Sequence, residues 1–224
     1  MTVDTLTRRV LAAVRAVDGV TGQQILSPLS VTGDGASWVR NRRGLYVLCE
    51  APGLELHQST FLHPPASPPV ESLVLVVDLH DPKRIYLSRR QTIRLPRDPD
   101  PSRAGMEGSL FHPIDSRLYL SPVAPTLSAW SVIRATVVRE GTDIGLGGAL
   151  IRVTRVSDGS VLARGLSDDR GEALVAVPGI PVTTWEEAPG PVLASEVDVQ
   201  VEVVWDPAAP VVPDPDDLEA RRAT

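Results

Sequence analysis

The surest pattern in the chain is a run of strict alternation near its end. In VDVQVEVVW (197–205), Val197, Val199, Val201 and Val203 alternate with Asp198, Gln200 and Glu202. That is the two-residue period of a strand with the valines inward and the polar residues outward. A second block, Gly147–Gly179, carries the same period broken by turn chemistry. Ala149, Ile151 and Val153 alternate with Leu150, Arg152 and Thr154. Asp158-Gly159 then supplies a pair that tolerates positive φ between two apolar runs, which marks a hairpin with Val161–Leu166 as the return strand. Asp168-Asp169-Arg170-Gly171 is a second polar turn, and Leu174–Val177 a third strand closed by Pro178-Gly179. Nothing in this block has a catalytic pattern.

Upstream, residues 9–17 fit two periods. Val10, Val14 and Val17 fall at helical spacing; Val10, Ala12, Val14 and Ala16 fall on one strand face. A weak internal repeat favours the strand. Gly44-LYVLCEA-Pro52-Gly53 has the layout of Gly171-EALVAV-Pro178-Gly179: a polar turn, Gly, an apolar strand, then Pro-Gly. Asp18–Gly22 reads as a turn, Ile25–Val31 as a short strand broken by Pro28, and Trp38–Arg40 and Leu45–Cys49 as strands about the turn Asn41–Gly44. Leu73–Leu79 (LVLVVDL) is a continuous apolar run of strand length, so burial on both faces is expected. Ile85–Leu87 and Gln91–Leu95 suggest a hairpin across Ser88–Arg90. Arg97–Gly108 is polar and rich in Pro and Gly, so a long exposed loop is expected. Leu118–Pro125 reads as a stiff linker and Trp130–Val138 as a strand. Pro181–Pro191 reads as a loop carrying Trp185. After Asp206-Pro207 the composition turns to Pro, Asp and Ala, which predicts an acidic tail unable to order by itself.

The fold class that follows is all-β: two small β-sandwich-like domains, 1–122 and 126–206, with a flexible acidic tail, 207–224. Composition agrees. Of 224 residues 42% are hydrophobic, enough for a real core, and the 21 prolines are about twice the usual share. The net charge of −6 gives no electrostatic reason to bind nucleic acid. Cys49 is the only cysteine, so no internal disulfide forms and a reducing, cytoplasmic setting is expected. No apolar run approaches a membrane span, and no secretory signal is expected at the N-terminus.

Candidate chemistry is sparse. His57 and His63 are close enough to share a metal, but no third ligand has convincing spacing. Asp78 and His80 share a strand face, which a strand end entering a turn also explains. Gly108-Ser109 lacks a nucleophile-elbow context. Gly145–Gly148 lacks the lysine and following helix of a phosphate loop. Asp168 and Asp169 read as turn residues before calcium ligands. No catalytic, cofactor-binding or metal-binding residue is therefore assigned. The residues suited to contact other proteins are the tryptophans Trp38, Trp130 and Trp185 and the basic pairs Arg42-Arg43 and Arg89-Arg90.

Gly148, Ile151, Val153, Asp158-Gly159, Gly165–Asp168, Gly171 and Pro178-Gly179 together resemble the carboxypeptidase regulatory-like family of small β-sandwiches, across roughly 129–205. The resemblance implies a transthyretin/immunoglobulin-like second domain without catalysis. Three further stretches resemble accessory components of phage-tail-like contractile injection systems. These are Asp18–Gly22 with Ser27-Pro28-Leu29, Asn41–Val47, and Leu120–Pro125 leading into Val132–Ala135. That resemblance implies a non-enzymatic structural or adaptor subunit near the cap or baseplate, docking onto other protein subunits, with oligomerisation in the particle left open. The alternative is a carbohydrate- or ligand-binding module using Trp38 or Trp185 as a stacking platform.

Overall fold

The alternation is realised as strand almost throughout. The computed structural model, which describes residues 9–59, 66–180 and 196–222, contains twelve strands and two short α-helices among those residues. The chain forms two units, each discontinuous. The first is Met1–Val17, Gln23–Pro82 and Arg90–Arg117; the second is Asp18–Gly22, Lys83–Arg89 and Leu118–Thr224. The chain thus passes between them repeatedly, where the sequence suggested one boundary near 122–126.

In the first unit, β1 (Ala12–Asp18), β3 (Ser37–Arg40), β4 (Tyr46–Glu50) and β7 (Ile114–Leu118) make a sheet of order β3-β4-β1-β7. Residues 12–18 are strand, as the repeat argued: Ala12, Val14 and Ala16 are fully buried and Ala12 pairs with Leu48. β2 (Ser30–Gly33), β5 (Leu73–His80) and β6 (Arg89–Leu95) form a second sheet with β5 central. Expected burial of β5 on both faces is not what forms. Leu75, Val77 and Leu79 are buried, while Val74 and Val76 are exposed. Run length alone does not report how many faces are covered. The expected hairpin across Ser88–Arg90 is also absent: Arg89 and Arg90 open β6, and Tyr86 bridges to Leu120 instead.

Tyr46 is buried in β4 and its hydroxyl accepts a hydrogen bond from the Leu29 amide at 2.6 Å. Tyr46→Phe leaves that amide without its acceptor. The expected cost is about 1–3 kcal/mol, read as a lower urea midpoint at unchanged slope.

The second unit is built on β9 (Leu150–Arg155) and β10 (Val161–Leu166), the hairpin across Asp158-Gly159, with Gly159 at φ 69°. β12 (Val199–Val204) pairs with the other side of β9, giving the order β10-β9-β12. The turn at Gly171 does not return the chain to this sheet. It delivers β11 (Glu172–Val177) to a second sheet, where β11 pairs with β8 (Ser131–Thr136). Ile151 and Val153 of one sheet meet Ala173, Val175 and Val177 of the other, with Ile133, Leu162 and Val199 at the margins. This is a sandwich core of interdigitated inward residues.

Both sheets are also covered outside. Leu174 and Ala176, on the opposite face of β11, pack with Leu120, Ala124, Val20, Ile85, Tyr86 and Trp130. Leu150 and Leu166 pack with Tyr119 and Leu218. The stretch 118–125 is therefore a covering layer, not a linker. Leu218 lies in α2 (Pro215–Arg222), so the expected flexible tail is in fact a docked helix. Asp214 caps it, its carboxylate accepting from the Asp216 amide, and Pro215 follows at the first helical position. Glu219 pairs with Arg152 at 3.5 Å and Arg164 at 3.3 Å. The tail orders because its carboxylates meet arginines and its one leucine meets the core.

Candidate functional site

The residues singled out as docking anchors fall into different environments. Arg42 and Arg43 lie exposed on the Asn41–Gly44 turn, which Asn41 organises by accepting from the amides of Arg43 and Leu45. Trp38, in β3, is half-buried, and its indole N–H is buried without a hydrogen-bond partner among the described residues. Trp130 is half-buried against the Leu120–Leu174 cluster. Trp185 lies outside the described residues. The pair Arg89-Arg90 does not solvate a turn. Arg89 is 1% exposed and paired with Asp214 and Asp216. Arg90 holds Asp78 through two hydrogen bonds of 2.8 and 2.9 Å. Internal carboxylates pair with both guanidinium groups, and Arg89 is buried while Arg90 stays part-exposed.

The other motifs have local explanations. Asp168 Oδ1 accepts from the amides of Arg170 and Glu172, and Oδ2 from the Arg170 guanidinium, so this carboxylate organises its turn. Gly145 and Gly147 press against the backbone of 168–170, and the Trp205 indole donates to the Gly147 carbonyl at 3.2 Å. Cys49 is buried. His63 lies outside the described residues. Among the described residues no three metal-ligating side chains come together, and no helix is long and apolar enough to cross a membrane.

The concave feature that stands out was not legible in the sequence. In the first unit a cavity of about 240 Å³ is lined by Val10, Leu11, Leu54, Val70 and Leu110, with Ala66 and the prolines 68, 96 and 99. Two polar side chains interrupt this wall, His57 of the short helix α1 (Glu55–Ser59) and Arg97 just beyond β6. Each is only 8% exposed. Arg97 donates through Nη2 to the carbonyls of Glu107 and Ser109, while its Nε has no hydrogen-bond partner among the described residues. His57 Nδ1 is likewise buried without a partner. Burial pushes the imidazole below its ordinary range. Burial also lowers the guanidinium, against the attraction of Glu71 and Glu107, though an arginine keeps its proton. The expected exposed loop at 97–108 therefore begins with a buried cation. No family model, no curated protein and no solved structure matches the chain. The site's reading rests on its own chemistry: an apolar enclosure with two buried nitrogens that water does not reach.

Proposed function

We propose that the chain is a non-enzymatic docking subunit of a larger protein assembly, of the contractile, phage-tail-like kind its sequence resembles. One observation supports this reading above the others: the outer edge of β12. The strand pairs with β9 over six consecutive residues without a bulge, and no other described strand pairs with its far side. Val201 and Val203 stand opposite Val153 and Ile151, on the core face as the alternation predicted, yet they are 46% and 48% exposed. The expectation of burial fails because the strand is an edge. Lone edges are normally blunted by Lys, Pro or a bulge, because unpaired backbone groups recruit other strands. Val199–Val204 has none of these, and its one charge, Glu202, is paired with Arg152 at 3.0 Å. Such an edge suits the addition of a strand from another subunit, with valines supplying the contact.

The charge distribution fits a selective docking role. The first unit has eleven Lys and Arg against eleven Asp and Glu, and the second eleven against seventeen, so the whole net charge belongs to the second unit. A basic partner segment complements it. The carbohydrate reading gains no platform from Trp38 or Trp130, both half-buried.

The test is co-sedimentation with assembled contractile particles from the native source. The wild-type chain is expected in the pellet. The double variant Val201→Lys/Val203→Lys is expected in the supernatant, with its unfolding midpoint unchanged. A wild-type chain that stays monomeric beside assembled particles overturns the reading.

A further inference from the structure

We propose that the open edge of β12 pairs with the same edge of a second copy of this chain, antiparallel, with Val201 opposite its own counterpart. This rests on the docking reading, which uses the same edge, and names what the edge receives.

The backbone directions come first. In an antiparallel pair the N–H and C=O of one residue point to the same side, and successive residues alternate. The Val156 amide, just past β9, donates to the Asp198 carbonyl at 2.9 Å, and the Thr154 hydroxyl to the Gln200 carbonyl at 3.3 Å. Even-numbered residues of β12 therefore face β9. Val199, Val201 and Val203 turn their N–H and C=O groups the other way, where no described strand lies beside them. Other edges are interrupted. β10 has an irregularity between Val161 and Ala163 and carries Arg164, and β3 is irregular between Ser37 and Trp38.

The spacing of the three valines decides the register. With Val201 opposite the second copy's Val201, Val199 lies opposite Val203 and Val203 opposite Val199. Each such pair exchanges two hydrogen bonds, so every outward group of the three valines is used on both copies. Sliding by two residues leaves one valine opposite a residue outside β12. It also sets Glu202 against Glu202 in one direction, or Asp198 against Glu202 in the other, and like charges directly opposite destabilise a pair. With Val201 on the axis, Gln200 faces Glu202, an amide donor beside a carboxylate. Sliding by one residue offers the outward groups only to residues already turned towards β9.

The side chains fit the same arrangement. Val201 and Val203, 46% and 48% exposed, lie with the second copy's valines on one face of a continuous six-stranded sheet and cover one another. Glu202 arrives already paired with Arg152 at 3.0 Å, so the edge brings no bare charge. The two-fold uses up both edges, so assembly through β12 closes at two copies.

A six-residue edge is at the small end of specific interfaces, so a micromolar dissociation constant is expected from sedimentation equilibrium of the full chain. It is expected to tighten as salt rises, because the second unit has eleven basic against seventeen acidic residues and salt screens the repulsion of two copies. A chain that stays monomeric well above the micromolar range overturns the proposal without any variant being made. Val201→Lys sets two cations face to face and is expected to weaken the dimer at least about tenfold; a dimer indifferent to it overturns the edge. In a Cys49→Ala background, Val201→Cys is expected to form an oxidised dimer, because hydrogen-bonded partners lie about 5.5 Å apart at Cα, within disulfide reach. Val199→Cys and Val203→Cys are each about 14 Å from their own counterparts, so they are expected to cross-link only when mixed. Cross-linking of Val199→Cys with itself overturns the register. If the chain is monomeric while Val201→Lys/Val203→Lys still leaves the particle pellet, self-pairing falls and the docking reading stands. A dimer that never enters the pellet supports self-pairing and ends the docking reading.

Discussion

Gly171→Ala is expected to destabilise the second unit by about 3–5 kcal/mol, lowering its thermal midpoint by about 10 °C. Two costs add. Gly171 sits at φ 83°, a left-handed conformation that charges an L side chain about 1–2 kcal/mol. A Cβ there would also stand 2.3 Å from the Val137 carbonyl oxygen and 2.9 Å from the Leu146 amide nitrogen, both backbone atoms that cannot swing away. The same carbonyl accepts from the Leu146 amide, and Gly171's own carbonyl accepts from Val137, each at 2.8 Å. Relieving the collision therefore pulls apart the crossing from the first sheet to the second. Gly159 provides the comparison. It has φ 69° in the β9–β10 hairpin, but a Cβ there meets nothing within 4 Å. Gly159→Ala should cost only about 1 kcal/mol. Equal losses in calorimetry for the two variants would sink the account of the crossing.

Arg89→Ala is the other large effect, at about 3–5 kcal/mol. The guanidinium is buried and Asp214 is 9% exposed, so removing the cation strands a carboxylate in a poor solvent. It also withdraws the group that meets the capping residue of α2. Asp216 is 68% exposed on its side chain and contributes little by comparison. Asp214→Asn keeps a good helix cap and removes the charge, so it should cost clearly more than Asp216→Asn. Urea unfolding measures the ranking, and limited proteolysis at the C-terminus reports release of the helix. The reverse ranking of the two asparagine variants would show that the outer carboxylate carries the interaction.

Local chemistry was readable from the sequence wherever it was self-contained. Asp158-Gly159 makes its hairpin, Asp168–Gly171 makes its turn, and the alternation at 150–155 and 199–204 makes strands. These features depend on residues a few positions apart. What the sequence hid depends on distant partners. Leu73–Leu79 and Glu172–Val177 look alike as apolar runs, yet only the second is covered on both faces, by segments near residues 20, 85 and 120. The acidic tail reads as disordered until Arg89, Arg152 and Arg164 are placed beside it. The Asp214-Pro215 pair is a local helix-start signal that a reading by composition passes over. Arg97 carried no signal at all, and His57 drew notice only as a metal-ligand candidate beside His63. A lone arginine in a Pro-rich stretch and a histidine on a five-residue helix give no hint that they share one cavity wall.

The outer layers of the second unit bear on its engineering. A module that could be lifted from one protein and spliced into another must carry its whole covering within one continuous length. Here the sandwich borrows its lids from before it, between and after: the turn at 18–22, the stretch 83–89, the run 118–125 and the terminal helix. Cutting at 126 and 206 would strip Leu150, Leu166, Leu174 and Ala176 bare to water. Excised between those cuts, the sandwich is expected to lose the cover that lets it fold by itself.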